Sequence, residues 1–360
     1  MADDDVSTEV TDVLGEPWLA RTIRLRPDRV TARTGIEPVA TLVRRDEPPR
    51  RRAVLYLHGF VDYFFHPHVA AALAEHGYDL YALDLRDYGR SIRTGRPPDD
   101  VTDLGLYSEE IDAAVRLLRA RYETLVLLGH STGGLIAALW ADARRGLGLI
   151  DALVLNSPWL DLRGSWAQRH VLTPVLDVVG RVAPTAVVAR LDPEYGKALH
   201  SATGGEWDYD LAWKSPDFPV TAGFIRTVRR GHARVARRLH VDVPVLVLRS
   251  DRTGPNKGWH DELVTTDSVL DVEQIAARAP LLGDDVTLVT VPGGAHDLAL
   301  SPSPARERYL QEVTDFLDRR LPPARPTTGA AATGAAPTGA GTARRAPTAT
   351  APLPPPPAAA

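Results

Sequence analysis

The chain has 360 residues, with 42 Lys and Arg against 46 Asp and Glu, giving a formal charge of −4. Ordinary shares of charged (24%) and hydrophobic (44%) residues describe a globular chain able to bury a sizeable core, and the balanced charge excludes a nucleic-acid binder held by a strong basic field. The absence of cysteine excludes disulfides, Fe–S clusters, thiolate zinc sites and a cysteine nucleophile.

Residues 1–14 are acidic and polar, without the basic and apolar stretches of a secretory signal, and are expected to be a flexible N-terminus of a cytoplasmic protein. Arg21–Val43 offers one or two antiparallel edge strands. Apolar strands are predicted at Ala53–Leu57, Asp79–Leu83, Leu125–Leu128, Ala152–Leu155, Val245–Leu248 and Val286–Val291. Helices are predicted at Pro67–His76, Gly105–Arg121, Thr132–Arg144, Val269–Ala279 and Pro304–Arg319. Strands this apolar, separated by helices, imply an α/β fold with a mostly parallel sheet covered on both faces. Thr124–Ala141 lacks charged side chains and is long enough to suggest a membrane span. Four glycines and hydroxyl residues in its middle (Gly129, Ser131, Thr132, Gly133) instead predict a strand, a tight turn and a helix, so no transmembrane segment is expected.

The alternation breaks between Ser157 and Pro244. This stretch carries Trp159, Trp166, Trp207, Trp213 and helical signals but no clear buried strand, so residues 158–239 are predicted to form a helical cap on a core made of 15–157 and 240–320. Residues 321–360 are almost wholly Pro, Ala, Thr and Gly and are predicted to be a disordered tail. The basic run Arg226, Arg229, Arg230, Arg234, Arg237, Arg238 is interleaved with Ile225, Val228, Val235 and Leu239 near helical spacing. It reads as one exposed helix face, with transient contact to an anionic membrane surface as the alternative.

Three segments carry chemistry. Gly129-His130-Ser131-Thr132-Gly133 is a G-x-S-x-G pentapeptide that follows an apolar strand and opens a helix, the context a strained nucleophile turn requires. Leu57-His58-Gly59-Phe60 ends an earlier strand; the backbone N–H groups of Phe60 and Thr132 are the expected oxyanion donors, and His58 is expected to hold the loop. Pro292-Gly293-Gly294-Ala295-His296 places a histidine after the last strand, where it suits a general base, since a serine hydroxyl needs one at neutral pH. With Asp84-Leu85-Arg86-Asp87-Tyr88-Gly89-Arg90-Ser91, these segments resemble the α/β-hydrolase superfamily. Within it they resemble the monoacylglycerol lipase/lysophospholipase branch, also grouped with serine aminopeptidase-type domains. The resemblance covers about residues 50–160 and 240–320; Asp87 and Tyr88 depart from the common Gly-His before Gly89.

The fold's chain order, Ser then Asp or Glu then His, leaves three candidate acids. Asp251 directly follows a strand but lies 45 residues before His296, whereas a helix, a loop and a strand need only about 25–30. Asp267 lies 29 residues before His296 and resembles the family's acid loop, which makes it the first choice; Asp271 is the third. Tyr63 and Phe64, after the oxyanion loop, and Trp159 are candidates for substrate contact, with ordinary packing as the alternative. His66 and His68 have no convincing third ligand at suitable spacing, so no metal and no cofactor are expected. The expected activity is hydrolysis of a small carboxylic ester, of lipid-like monoacylglycerol or lysophospholipid type. Thioester or carbon–carbon bond hydrolysis, or an aminopeptidase with Glu194 or Glu206 holding the amine, are alternatives, and a non-catalytic binding protein is the reading from another class.

Overall fold

The computed structural model describes residues 7–98, 100–164, 174, 177–215 and 217–322. Nine strands form one sheet: β1 (Val10–Thr11), β2 (Trp18–Arg24), β3 (Val39–Arg45), β4 (Arg52–Leu57), β5 (Tyr78–Asp84), β6 (Thr124–His130), β7 (Ala152–Asn156), β10 (Val245–Ser250) and β11 (Val286–Val291). Their spatial order is β1-β2-β3-β5-β4-β6-β7-β10-β11. From β5 to β11 neighbours run parallel, while β1, β2 and β3 add on antiparallel at one side. The order reverses at β4, whose next strand in sequence lies on one side and whose later partner β6 lies on the other. Sites in open α/β sheets form where strand order reverses, outside the carboxyl ends of the strands.

Every residue of β4, β6 and β7 is buried, which accounts for their unbroken apolar character. Two apolar layers follow. One joins α3 (Ser108–Arg119) and α4 (Thr132–Ala143) to the sheet through Ile111, Leu118, Leu135 and Leu153. The other joins α2 (Pro67–Glu75) and α8 (Ala305–Arg320) through Leu73, Val154, Tyr309 and Phe316. The helix predicted from residue 105 begins as a 3₁₀ turn, Leu104–Tyr107, with Asp103 accepting the Gly105 N–H.

Three expectations need correction. The first concerns residues 1–14, which are not wholly flexible: Val10 and Thr11 pair with Ala20 and Leu19, and Asp12 forms a buried ion pair with Arg90. Residues 1–6 lie outside the described residues. The second concerns the insertion, which is not purely helical. Its strands β8 (Val187–Arg190) and β9 (Pro219–Thr221) pair antiparallel, and its helices include α5 (Glu194–Leu199) and α6 (Ala222–Ala236). The third is the start of the tail: Leu321 is buried in the α8 layer, so the ordered core runs past residue 320. Residues 323–360 and 165–173, Trp166 among them, lie outside the described residues.

The basic run falls on α6 and just beyond it, and acids partner most of it. Arg226 meets Asp177 (2.8 Å), Arg229 meets Asp161 (2.8 Å), Arg234 meets Asp142 (2.9 Å) and Arg238 meets Asp284 (2.6 Å). Arg234 and Arg238 fasten the helix to the core, while Arg226 and Arg229 hold it to acids of the insertion itself. Thr124–Ala141 is strand β6, the serine turn and helix α4. Among the described residues, no helix is long and apolar enough to cross a membrane.

Candidate active site

Ser131 lies between β6 and α4 with φ +52° and ψ −115°, a conformation that an L-residue adopts only under strain. The turn is possible because Gly129 and Gly133, two positions to either side, lack side chains. A Cβ on Gly129 would lie 2.6 Å from the Gly133 carbonyl oxygen, and one on Gly133 would lie 2.3 Å from that of His58. The G-x-S-x-G spacing is thus a packing requirement: the first glycine lets the turn close and the second lets α4 approach the end of β4.

The three segments singled out in the sequence converge here. Ser131 Oγ lies 3.0 Å from His296 Nε2. On the other side of the ring, His296 Nδ1 lies 3.0 and 3.1 Å from the two oxygens of Asp267. With Nδ1–H donated to the carboxylate, Nε2 is left to accept the serine proton. Asp267 is fully buried, and burial opposes its charge. The facing His296 and the N–H groups of Leu270 and Val269, at 2.7 and 3.0 Å, outweigh burial and hold its pKa below the ordinary carboxylate value.

The choice among the three acids follows from the loop after β10. Asp267 accepts from Gly254 N–H through its backbone carbonyl and donates its own N–H to Arg252 O. The chain therefore leaves β10, runs out over residues 254–266 and returns beside its point of departure. Asp251 accepts the Gly293 N–H (2.9 Å), which steadies the histidine loop, and Asp271 caps α7 (Val272–Arg278) by accepting the Glu273 N–H (3.0 Å). Helix α7 starts three residues later than predicted because Asp267 and Asp271 bind the N–H groups ahead of it.

His58 is tied to neighbouring loops. Its Nε2 accepts the Leu85 N–H (3.0 Å), so Nδ1 carries the proton donated to Gly59 O (2.7 Å), and burial lowers its pKa. The departure at Asp87 is also accounted for. Its carboxylate binds Arg96 at 2.7 and 2.9 Å, and Arg96 reaches on to Asp28, so a buried ion pair replaces the family's smaller residue.

Beside Ser131 and His296 opens a cavity of about 620 Å³. Phe60, Trp159, Val220, Phe224, Leu263 and Leu270 are among its apolar lining, and the Phe60 ring stacks on Phe224 at 4.4 Å. Trp159 is therefore where the sequence suggested, whereas Tyr63 and Phe64 are not. Phe64 N–H is drawn to Asp84 (3.1 Å), and its ring packs under the sheet between Trp18 and Tyr56. Tyr63 accepts the Asp210 N–H through its hydroxyl (2.6 Å) and packs on Trp213, helping to seat the insertion. The lining residues from β9, α6 and the loop before Asp267 were missed, because nothing in their local pattern distinguishes a cavity wall from ordinary core. Glu194 binds Lys197 and Glu206 binds Arg306; neither lines the cavity.

The pattern of the Hydrolase_4 family, described as "Serine aminopeptidase, S33", matches residues 48–302. The chain belongs to that family. It is 28% identical over 297 residues to the monoacylglycerol lipase of Mycolicibacterium smegmatis, covering 80% of this chain and 95% of the relative. Among solved structures it resembles the Paleococcus ferrophilus monoacylglycerol lipase (20% identity, TM-score 0.58, 79% of this chain and 100% of the other). It also resembles a soluble variant of the Saccharomyces cerevisiae monoglyceride lipase (15% identity, TM-score 0.57, 83% and 95%). At these identities the structural matches speak for the α/β-hydrolase fold of this family member.

Proposed function

We propose that this hydrolase cleaves a carboxylic ester through an acyl-enzyme, with Ser131 as nucleophile, His296 as base and Asp267 as the acid that orients it. The observation that carries the reading is the unbroken relay from Ser131 Oγ to Asp267, opening on an apolar cavity. Ser131 attacks the ester carbonyl as His296 Nε2 takes its proton. The N–H groups of Phe60 and Thr132, both at the cavity wall, stabilise the oxyanion. His296 returns the proton to the leaving alcohol, then activates the water that releases the acid. This sequence of steps calls on no cofactor.

A lipid-like acyl ester, of monoacylglycerol or lysophospholipid type, is the substrate class. The cavity's aromatic and aliphatic wall suits an acyl chain, and the Mycolicibacterium relative carries the lipase name. An aminopeptidase is less favoured, since neither Glu194 nor Glu206 reaches the cavity to hold an amine. The test is hydrolysis of p-nitrophenyl esters from acetate to palmitate, and of a monoacylglycerol, by wild type and Ser131→Ala. Activity should fall by about 10³-fold or more in the variant, with a maximum toward longer chains in the wild type. Full activity in Ser131→Ala would overturn the mechanism, and cleavage confined to aminopeptides would overturn the substrate class.

A further inference from the structure

Behind the relay lies a second buried group of titratable side chains that the reaction as written does not use. Asp62, two residues after Phe60, His130, just before Ser131, and Asp297, just after His296, bring ligand atoms within 4.8 Å of one another. Each lies within two residues of the proposed machinery, and each comes from a different core segment. His130 Nδ1 lies 3.4 Å from Asp62 Oδ2 and 3.8 Å from Asp297 Oδ2. His66 Nε2 lies 3.5 Å from the same Asp297 oxygen. From the insertion, Lys214 Nζ reaches Asp62 Oδ1 at 2.5 Å. Asp297 is further held by Asn156 Nδ2 (2.8 Å), while Tyr195 of α5 accepts the Asp297 N–H (3.0 Å) and faces the His296 ring.

We propose that Asp62, His130 and Asp297, with Lys214, form a positioning network that keeps the nucleophile turn, the oxyanion loop and the histidine loop in register, with a proton on His130 as its central charge. The inference rests on the serine-hydrolase reading above. Charge balance is its first support. Two buried carboxylates face one ammonium, and an uncompensated buried charge costs several kcal/mol, so a second cation is required. His66 and His130 both approach Asp297, but His130 also approaches Asp62, so a proton there faces both carboxylates. Burial works against that proton, but the Asp297 and Asp62 carboxylates outweigh burial and raise the His130 pKa above its ordinary value. Lys214 and then His130 hold Asp62 in its charged form against burial in the same way. The groups that face His130 are Asp62 from the oxyanion loop, His296 and Asp297 from the histidine loop, and Lys214 from the insertion; His66 reaches Asp297 from the far side, and Tyr56 of β4 is close to both acids. The sign follows: as pH rises through the His130 pKa, the network loses its cation and the three loops lose their common tie.

The decisive measurements are the ¹⁵N chemical shifts of His130 and the kcat–pH profiles of wild type, His130→Gln, Asp297→Asn and Lys214→Met. An imidazolium signal at pH 7 is expected. So is a fall in kcat of tenfold or more in His130→Gln and Asp297→Asn with KM within about threefold, and loss of the wild-type alkaline limb in His130→Gln. Lys214→Met, with Lys214→Arg restoring kcat, provides a reading if the other two variants do not fold. A neutral His130 at pH 7, or kcat–pH profiles that coincide with wild type while only Tm falls, would overturn the proposal. So would Co²⁺ displacing the proton to give a bound, coloured complex. Ser131→Ala separates the two readings: full activity there would sink the hydrolase mechanism, while the ¹⁵N signal reports the network without any turnover.

Discussion

At the scale of single residues, the relay predicts unequal roles for three aspartates that look alike in sequence. Asp267→Asn removes the charge that fixes the His296 tautomer, and kcat should fall by about 10³–10⁴-fold with KM little changed. Asp251→Asn disturbs the Gly293 N–H contact and the longer ones to Ser250 and Arg252, none of them part of the relay, and should stay within about tenfold of wild type in the same ester assay. A different kind of failure is expected at Gly133. A Cβ there meets two backbone carbonyls, those of Leu57 and His58, which cannot swing aside as a side chain would. Gly133→Ala should lower stability by about 2–4 kcal/mol in urea titration and disturb the nucleophile turn as well. Ser131, His296 and Asp267 were legible in the sequence because their chemistry dictates residue type, order and spacing. Tyr63 and Phe64 were not, because a hydrogen bond from Phe64 N–H to Asp84 decides which way that loop turns, and no local pattern records it.

Among elements, the parallel strands and their helices could be read from apolar runs, since burial on both faces leaves a clear signature. The insertion was harder. Its strands β8 and β9 are only four and three residues long and β8 is exposed, so neither gives the long buried run that marked the core strands, and the helix α6 looked like a basic surface until its ion pairs were known. That helix has two functions: it fastens to α4 and it presents Phe224 to the cavity. Phe224→Ala should therefore cost about 3–5 kcal/mol of stability. The same variant should shift acyl-chain preference in the ester series, because the ring stacked on Phe60 forms part of the wall. The loop after β5 adds charge to the apolar packing of Leu85 and Tyr88. Arg96 is fully buried between Asp87 and Asp28, and Arg96→Met would take the ion-pair partner from Asp87 and leave Asp28 to Arg86, at a cost of about 3–5 kcal/mol measurable as a drop in Tm.

For the whole molecule, the titratable groups set how stability depends on pH. His68 is half-buried and His232 buried; desolvation is the main cause of their lowered pKa values, about 4 and about 3. The unfolded chain binds protons on these groups near pH 6.5 while the folded chain does not, so stability falls as pH drops below about 6.5. Asp28 and Asp161 have pKa values of about 2 despite burial, because Arg96 holds the first and Arg278 and Arg229 the second. Their contribution is present above about pH 4 and is lost between about pH 4 and pH 2. Tm should thus decline in two stages on acidification, and His232→Asn should flatten the first stage alone.

The distances in sequence across the relay have a further consequence. Ser131 and His296 are 165 residues apart, and the acid arrives only 29 residues before the histidine. A ribosome-bound chain ending before β11 would carry the nucleophile turn yet have no base to activate it, and contacts of such long range form late. Ester turnover is therefore a reporter of completed folding. In refolding from urea it should reappear after the far-UV signal has recovered, and an unfinished chain would be silent toward the lipids around it.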